Sequence, residues 1–209
     1  MDAPDWEEQT KEGDIVIYTR PHPNSSFKAF KAVAIIDAPI NNMMAVMANP
    51  QSCMEWVLGC TVANAFDVLS FNDRYAYSVN DMPWPFKDRD YVLHIRTSNN
   101  PENKSIVMHM NAVANKKDVN DEYERVHVAQ TTYLFEPLDG NKTKMTWLQH
   151  TEPGGVLPGW LVNSLIVDIP VKSLQELERV AQSAKYQDAT ILFNPEGLIV
   201  GVDSKLTRQ

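Results

Sequence analysis

Hydrophobic and polar positions alternate with a period of two through most of this chain and switch to a helical period near its end. Ile15-Val16-Ile17-Tyr18-Thr19-Arg20 is rich in β-branched and aromatic residues and reads as a strand. Pro21, Pro23, Asn24 and Ser25 mark a turn. Phe27 to Asp37 follows as a longer strand. It opens with Phe27, Ala29, Lys31 and Val33 on one face and Lys28, Phe30 and Ala32 on the other, so the two strands form a hairpin. The polar, acidic residues 2–12 suggest a short helix around Trp6, broken at Gly13.

Pro39 suits the first turn of a helix, and Ile40, Met43, Met44 and Met47 recur at helical spacing behind it. Asn49-Pro50 stops that helix. A second short one carries Met54, Val57 and Leu58 and ends at Gly59. From Thr61 to Thr151 strands succeed one another without intervening helices, which predicts an antiparallel sheet. Val62 to Phe71 pairs with Tyr75 to Asn80. Tyr91 to Thr97 and Ser105 to Ala114 follow, and Val126 to Glu136 and Lys142 to Thr151 form a hairpin around Asp139-Gly140-Asn141-Lys142.

Pro158 to Lys185 then reads as one long helix. Its first half is apolar on nearly all sides. Its second half is amphipathic, with Gln175, Glu176, Glu178 and Arg179 facing water. Pro170 removes a backbone donor from it, as a static kink or as a hinge. A mostly apolar helix must be wrapped, and a curved sheet can do so. The expected fold is therefore α+β: a helix-grip, in which a curved antiparallel sheet surrounds a long C-terminal α-helix.

The 209 residues suit one domain, large enough for a sizeable core or an internal cavity. The formal net charge of −8 argues against a nucleic-acid partner, and contact with a membrane would have to be local and apolar. The N-terminus lacks the basic start and apolar run of a secretory leader, and no stretch approaches the ~20 apolar residues of a membrane span. Cys53 and Cys60, seven apart on a helix, would lie ~10 Å from each other, too far for a disulfide. They are read as reduced, which points to the cytoplasm.

Pro85-Phe86-Lys87-Asp88-Arg89-Asp90-Tyr91-Val92 resembles the signature of START domains, the steroidogenic acute regulatory protein-related lipid-transfer family. Three further segments resemble the same family in the same order. They are Ile15 to Arg20, Lys142-Thr143-Lys144-Met145-Thr146-Trp147, and the run Gly154-Gly155-Val156-Leu157-Pro158-Gly159-Trp160-Leu161-Val162-Asn163. The resemblance spans about residues 13–185. It implies a START-like lipid-binding domain over 1–185, with one apolar ligand in an internal cavity and the last helix as a lid. Residues 186–209 are a C-terminal extension. Ala189 to Phe193 and Leu198 to Val202 bracket a turn there, as an extra hairpin covering a sheet edge or as a segment that packs on another subunit.

The family places an arginine matching Arg96 inside the cavity against a ligand's polar group. Alternation alone puts Val92, His94 and Arg96 on one face and the apolar Tyr91, Leu93 and Ile95 on the other, which would leave Arg96 wet. The family's acidic partner falls near Tyr77, where no acid stands, so a cavity Arg96 would lean on carbonyls, the Tyr77 hydroxyl or an anionic ligand head. His94 shares the Arg96 face. Val107, Met108, Tyr133, Trp147 and Gln149 lie on strands expected beside the cavity, as its wall or as ordinary core. Ile166, Ile169, Ser173 and Leu177 form one helical stripe, either plain packing or the cavity side of the lid. Arg89 and Asp90 read as a structural pair that fixes the loop before their strand, or as a direct ligand contact. Leu157 and Trp160, with the loop Asn115 to Glu124, are candidates for a mouth that touches a membrane, Trp160 being otherwise a core residue.

No nucleophile elbow, phosphate loop or metal spacing is present, and His94, His109, His127 and His150 lie on separate strands. The expected function is thus a non-enzymatic carrier that binds a lipid or other apolar small molecule and touches membranes transiently, without a cofactor or metal. Two alternatives stay open: a helix-grip enzyme of cyclase or hydrolase-like type that uses Arg96, His94 and Tyr77 on a small apolar substrate, and a ligand-gated interaction protein.

Overall fold

The computed structural model describes residues 5–206. Strands β1 (Glu7–Glu12), β2 (Ile15–Arg20) and β3 (Ala29–Ile36) open the chain. The expected helix around Trp6 is thus an edge strand, and its charged sequence suits an edge that must not recruit another chain; Asp2 to Pro4 lie outside the described residues. Helix α1 (Ile40–Ala48), a 3₁₀ turn (Pro50–Ser52) and α2 (Cys53–Trp56) lead to β4 (Cys60–Ser70), β5 (Asp73–Asn80), β6 (Arg89–Asn99) and β7 (Ile106–Ala112). The short β8 (Glu124–Arg125), then β9 (Val128–Leu138) and β10 (Lys142–Glu152), complete the main sheet.

That sheet runs β1-β2-β3-β10-β9-β7-β6-β5-β4, antiparallel along its whole path, with β8 added parallel to β6. It does not close. Its concave face is filled by Ile17, Ala32, Phe135, Met145 and Met108, packed against Val171, Leu174, Leu177 and Val180 of the C-terminal helix. This is the helix-grip architecture.

The long helix is built in three parts: α3 (Gly159–Asn163), a π-helical turn (Ser164–Asp168) and α4 (Ile169–Ala181). Pro170 therefore sits in the first turn of α4 rather than in a helix interior. The looser π turn before it accommodates a residue that has no N–H to donate.

The two cysteines correct the sequence reading. Cys53 and Cys60 form a disulfide, with their Cα atoms 5.9 Å apart. The distance expected for one continuous helix does not apply, because the chain leaves α2 after Trp56 and reverses at Gly59, whose φ is +87°. The ground for placing the protein in a reducing compartment is thereby removed.

The tail forms a separate hairpin, β11 (Thr190–Phe193) and β12 (Ile199–Asp203). Tyr186, Ala189, Ile191, Ile199 and Val202 belong to the same core as the sheet and helix. Asn99 clamps this hairpin, donating from Nδ2 to the Gly197 carbonyl at 3.0 Å and accepting the Ile199 N–H at 2.8 Å.

Candidate functional site

A cavity of about 240 Å³ lies between the concave face of the sheet and residues 162–170 of the helix. It exists because β4 and β5 turn small side chains inward. Ala63, Ala65, Ala76 and Ser78 leave a space that larger residues would fill, while Tyr75 and Tyr77 alternate to the other side. The opposite wall is aromatic: Trp56, Tyr133 and Trp147 meet edge to face, with ring centroids 5.4–5.9 Å apart.

Met108, Tyr133, Trp147 and Gln149 line this cavity, as do Ile166 and Ile169 of the helix. Ser173 and Leu177 do not. Both are fully buried below it, and the Ser173 hydroxyl accepts the Leu58 N–H at 3.0 Å. Val107 is also outside the lining, because its neighbour Met108 points inward and alternation sends Val107 to the far face.

Arg96 stands on the convex side, in correction of the cavity position expected from the family, and His94 shares that side. Arg96 is exposed, and the inward positions of β6 are Tyr91, Leu93 and Ile95. Burying an unpaired charge there would cost more than burying Ile95. His94 stacks on Tyr75, and its Nε2 lies 2.6 Å from Asp73 Oδ1. Tyr77 borders the cavity wall, but its hydroxyl donates to Asp90 Oδ2 at 3.1 Å on the convex side. The enzyme constellation of Arg96, His94 and Tyr77 is therefore not assembled around the cavity. Among the described residues, no three His, Cys, Asp or Glu side chains are placed to hold a metal ion.

Among the cavity's polar groups, sequence reasoning missed Tyr91 and Arg74. Tyr91 reaches into it from β6, and burial pushes its phenol up to about 12, with Arg89 pulling the other way. Tyr133 is shifted in the same direction by burial alone. Neither hydroxyl finds a hydrogen-bond partner among the described residues, and both face the cavity. Arg74, 8% exposed, also lines it. Its guanidinium donates to the carbonyls of Phe71 and Met47, and burial lowers its pKa to about 10. The available signal was the inward alternation Arg74, Ala76, Ser78, which hydrophobicity alone would have reversed in favour of Tyr75 and Tyr77.

Arg89 and Asp90 do not pair with each other. Arg89 donates to the carbonyls of Lys87, Pro153 (3.0 Å) and Gly154 (3.1 Å), tying the loop before β6 to the loop before α3. Both loops carry exposed apolar residues: Trp84 is 93% exposed and Val156 95%, and Trp160 at the start of α3 is 62% exposed. Leu157, between them, is half-buried.

The START domain family model matches residues 1–186. This chain belongs to the START family. A Pseudomonas aeruginosa protein, uncharacterized protein PA1579, is 28% identical to it over 182 residues, covering 86% of this chain and 88% of that one. Among solved structures, the STAR-related lipid transfer protein from Xanthomonas axonopodis superposes with a TM-score of 0.77 at 22% identity, over 85% of this START domain and 99% of that chain. Human StAR-related lipid transfer protein 5 superposes with a TM-score of 0.76 at 16% identity, over 87% and 88% of the two chains. At these identities the two structures share the fold. The START fold and its apolar cavity make this a hydrophobic ligand-binding fold.

Proposed function

We propose that this START domain binds one lipid in the 240 Å³ cavity and carries it between membranes, with residues 159–181 as the lid. The observation that carries the reading is a predominantly apolar cavity, roofed by Val162, Leu165, Ile166 and Ile169, whose inner wall presents two phenols with no hydrogen-bond partner among the described residues. Apolar walls with a few convergent polar groups fix the orientation of an amphiphile. The π turn beneath Leu165 and Ile166 gives the roof a weakened stretch of helix at which to open. Trp84, Val156 and Trp160 lie within three residues of the cavity-lining Met82, Pro153 and Val162, so the apolar rim stands beside the mouth and offers itself to a membrane surface.

The test is native mass spectrometry of the protein after incubation with mixed liposomes, with Ala76→Trp as the occluded control. One lipid per chain, absent from the control, supports the carrier. No uptake by the wild-type protein would overturn it.

A further inference from the structure

Four charged side chains line the cavity: Lys28, Arg74, Asp81 and Arg89. They comprise three cations and one carboxylate, in a chain whose net charge is −8. Their situations differ. Arg89 is engaged with three carbonyls, while Lys28 and Asp81 are at least partly exposed. Arg74 and Arg89 are both buried, and Arg74 is held by two carbonyls where Arg89 is held by three.

Arg74 occupies the inner end of β5 beside the C-terminal turn of α1. A guanidinium carries five N–H donors, and two hydrogen bonds are accounted for, to the carbonyls of Phe71 and Met47. Among the described residues no carboxylate is paired with it. The low dielectric draws its pKa down to about 10, which leaves it cationic at neutral pH. Two carbonyls and the face of the Phe71 ring, 5.1 Å away, hold this cation, but among the described residues no opposite charge compensates it, and it lines the cavity.

From Arg74 the concave face runs across the strands through two apolar positions to two polar ones. Arg74 pairs with Ile95, Ile95 with Met110, Met110 with Thr131 and Thr131 with Gln149, so these residues form one row on the concave face. Tyr133 stands two positions along β9 from Thr131.

We propose that the ligand is an anionic amphiphile whose head group, a carboxylate or a phosphate, seats against Arg74 while its apolar chain extends towards the mouth beneath Ile166 and Val162. This rests on the carrier reading above and names the ligand's chemical class. A guanidinium fork matches both kinds of head group with two parallel hydrogen bonds. A neutral alcohol of the same length leaves the cation uncompensated. The competing role for Arg74 is purely structural, as a cap on the C-terminal carbonyls of α1, where a cation is favoured.

The experiment measures binding of dodecanoate, dodecyl phosphate and dodecanol by titration calorimetry below their aggregation limits. Inorganic phosphate serves as the control that has the head group without the apolar chain, and Arg74→Met and Arg74→Lys are compared with the wild-type protein. The expected result is at least tenfold tighter binding of one anionic probe than of dodecanol, lost in Arg74→Met and retained in Arg74→Lys, with no binding of inorganic phosphate. The tighter anionic probe identifies the head group. Equal affinities for anion and alcohol in the wild-type protein would overturn the proposal while leaving the carrier intact. So would an Arg74→Met variant that melts earlier but keeps the preference, since that is the signature of a cap. Binding of inorganic phosphate as tight as that of dodecyl phosphate would replace the amphiphile with a free anion. If none of the probes binds and no lipid is taken up from liposomes, it is the carrier reading that fails. Should Arg74→Met not fold, the wild-type ratio and the Arg74→Lys variant still decide.

Discussion

Arg125 grips the Asp90 carboxylate with two parallel hydrogen bonds, Nε to Oδ1 at 2.9 Å and Nη2 to Oδ2 at 2.8 Å, with both side chains shielded from water. The pair lies on the convex side of the sheet, away from the cavity. Tyr77 adds its hydroxyl to the same carboxylate, and Arg125 also donates to the carbonyls of Lys117 and Asp118. The carboxylate thereby fastens the 115–124 loop to β6.

Asp90→Ala strands the Arg125 charge in a buried site, which costs about 3–5 kcal/mol. For a chain of this size that lowers Tm by about 10 °C. Tyr77→Phe removes one of several hydrogen bonds to the same group and costs about 1 kcal/mol. Thermal melts of both variants check the order; an Asp90→Ala variant as stable as Tyr77→Phe would show the pair to be dispensable.

The Cys53–Cys60 bridge closes a short loop whose residues Trp56, Val57 and Leu58 line the cavity. Chain entropy for a loop of this length predicts a loss of about 2 kcal/mol on cleavage. Cys53→Ser/Cys60→Ser, or the wild-type protein under reductant, should melt about 5 °C lower than the oxidised protein. Identical melts with and without reductant would indicate that the bridge contributes nothing.

His150 is buried under His22, the two rings stacked with centroids 3.6 Å apart, and its Nε2 lies 3.2 Å from Glu152 Oε1. Burial, aided by His22, lowers the His150 pKa below its ordinary value, while Glu152 and a backbone hydrogen bond at Lys28 oppose this. The unfolded chain therefore binds the proton more readily than the folded one. Stability is present above about pH 6.5 and is lost as the pH falls through and below it. Urea midpoints should be lower at pH 5 than at pH 8, and His150→Gln should shrink the difference. A difference unchanged by His150→Gln would place the titration elsewhere.

Trp84 and Trp160 are exposed on separate segments, two residues from the cavity-lining Met82 and Val162, and the carrier proposal assigns them to membrane contact. Each indole is suited to an interface between apolar and aqueous phases. Trp84→Ala/Trp160→Ala should reduce co-sedimentation with neutral liposomes about tenfold, with Tm unchanged because both side chains are already in water. Unaltered co-sedimentation would remove the rim from the transfer step.

Apart from β1, which reads as a helix in the sequence, the chain order of strands and helices, the antiparallel pairing and the helix that the sheet wraps follow from local alternation and turn residues, which are properties of neighbours in sequence. So does the family signature around Arg89 and Asp90. Alternation divides a strand into two faces without saying which becomes concave. On β6 the apolar face turned inward, so Tyr91, Leu93 and Ile95 line the cavity and Arg96 and His94 face outward. On β5 the bulkier tyrosines faced outward, and Arg74, Ala76 and Ser78 took the interior. That choice is made by the register with β4 and β6 and by the convex cluster of Tyr77, Val79 and Val92, which are long-range contacts. The disulfide depends in the same way on where α2 ends and Gly59 reverses the chain. What the sequence determined by itself is the frame. The cavity, its buried cations and its inward-facing phenols were decided by tertiary structure, because a void is defined by side chains that arrive from distant strands and stop short of one another.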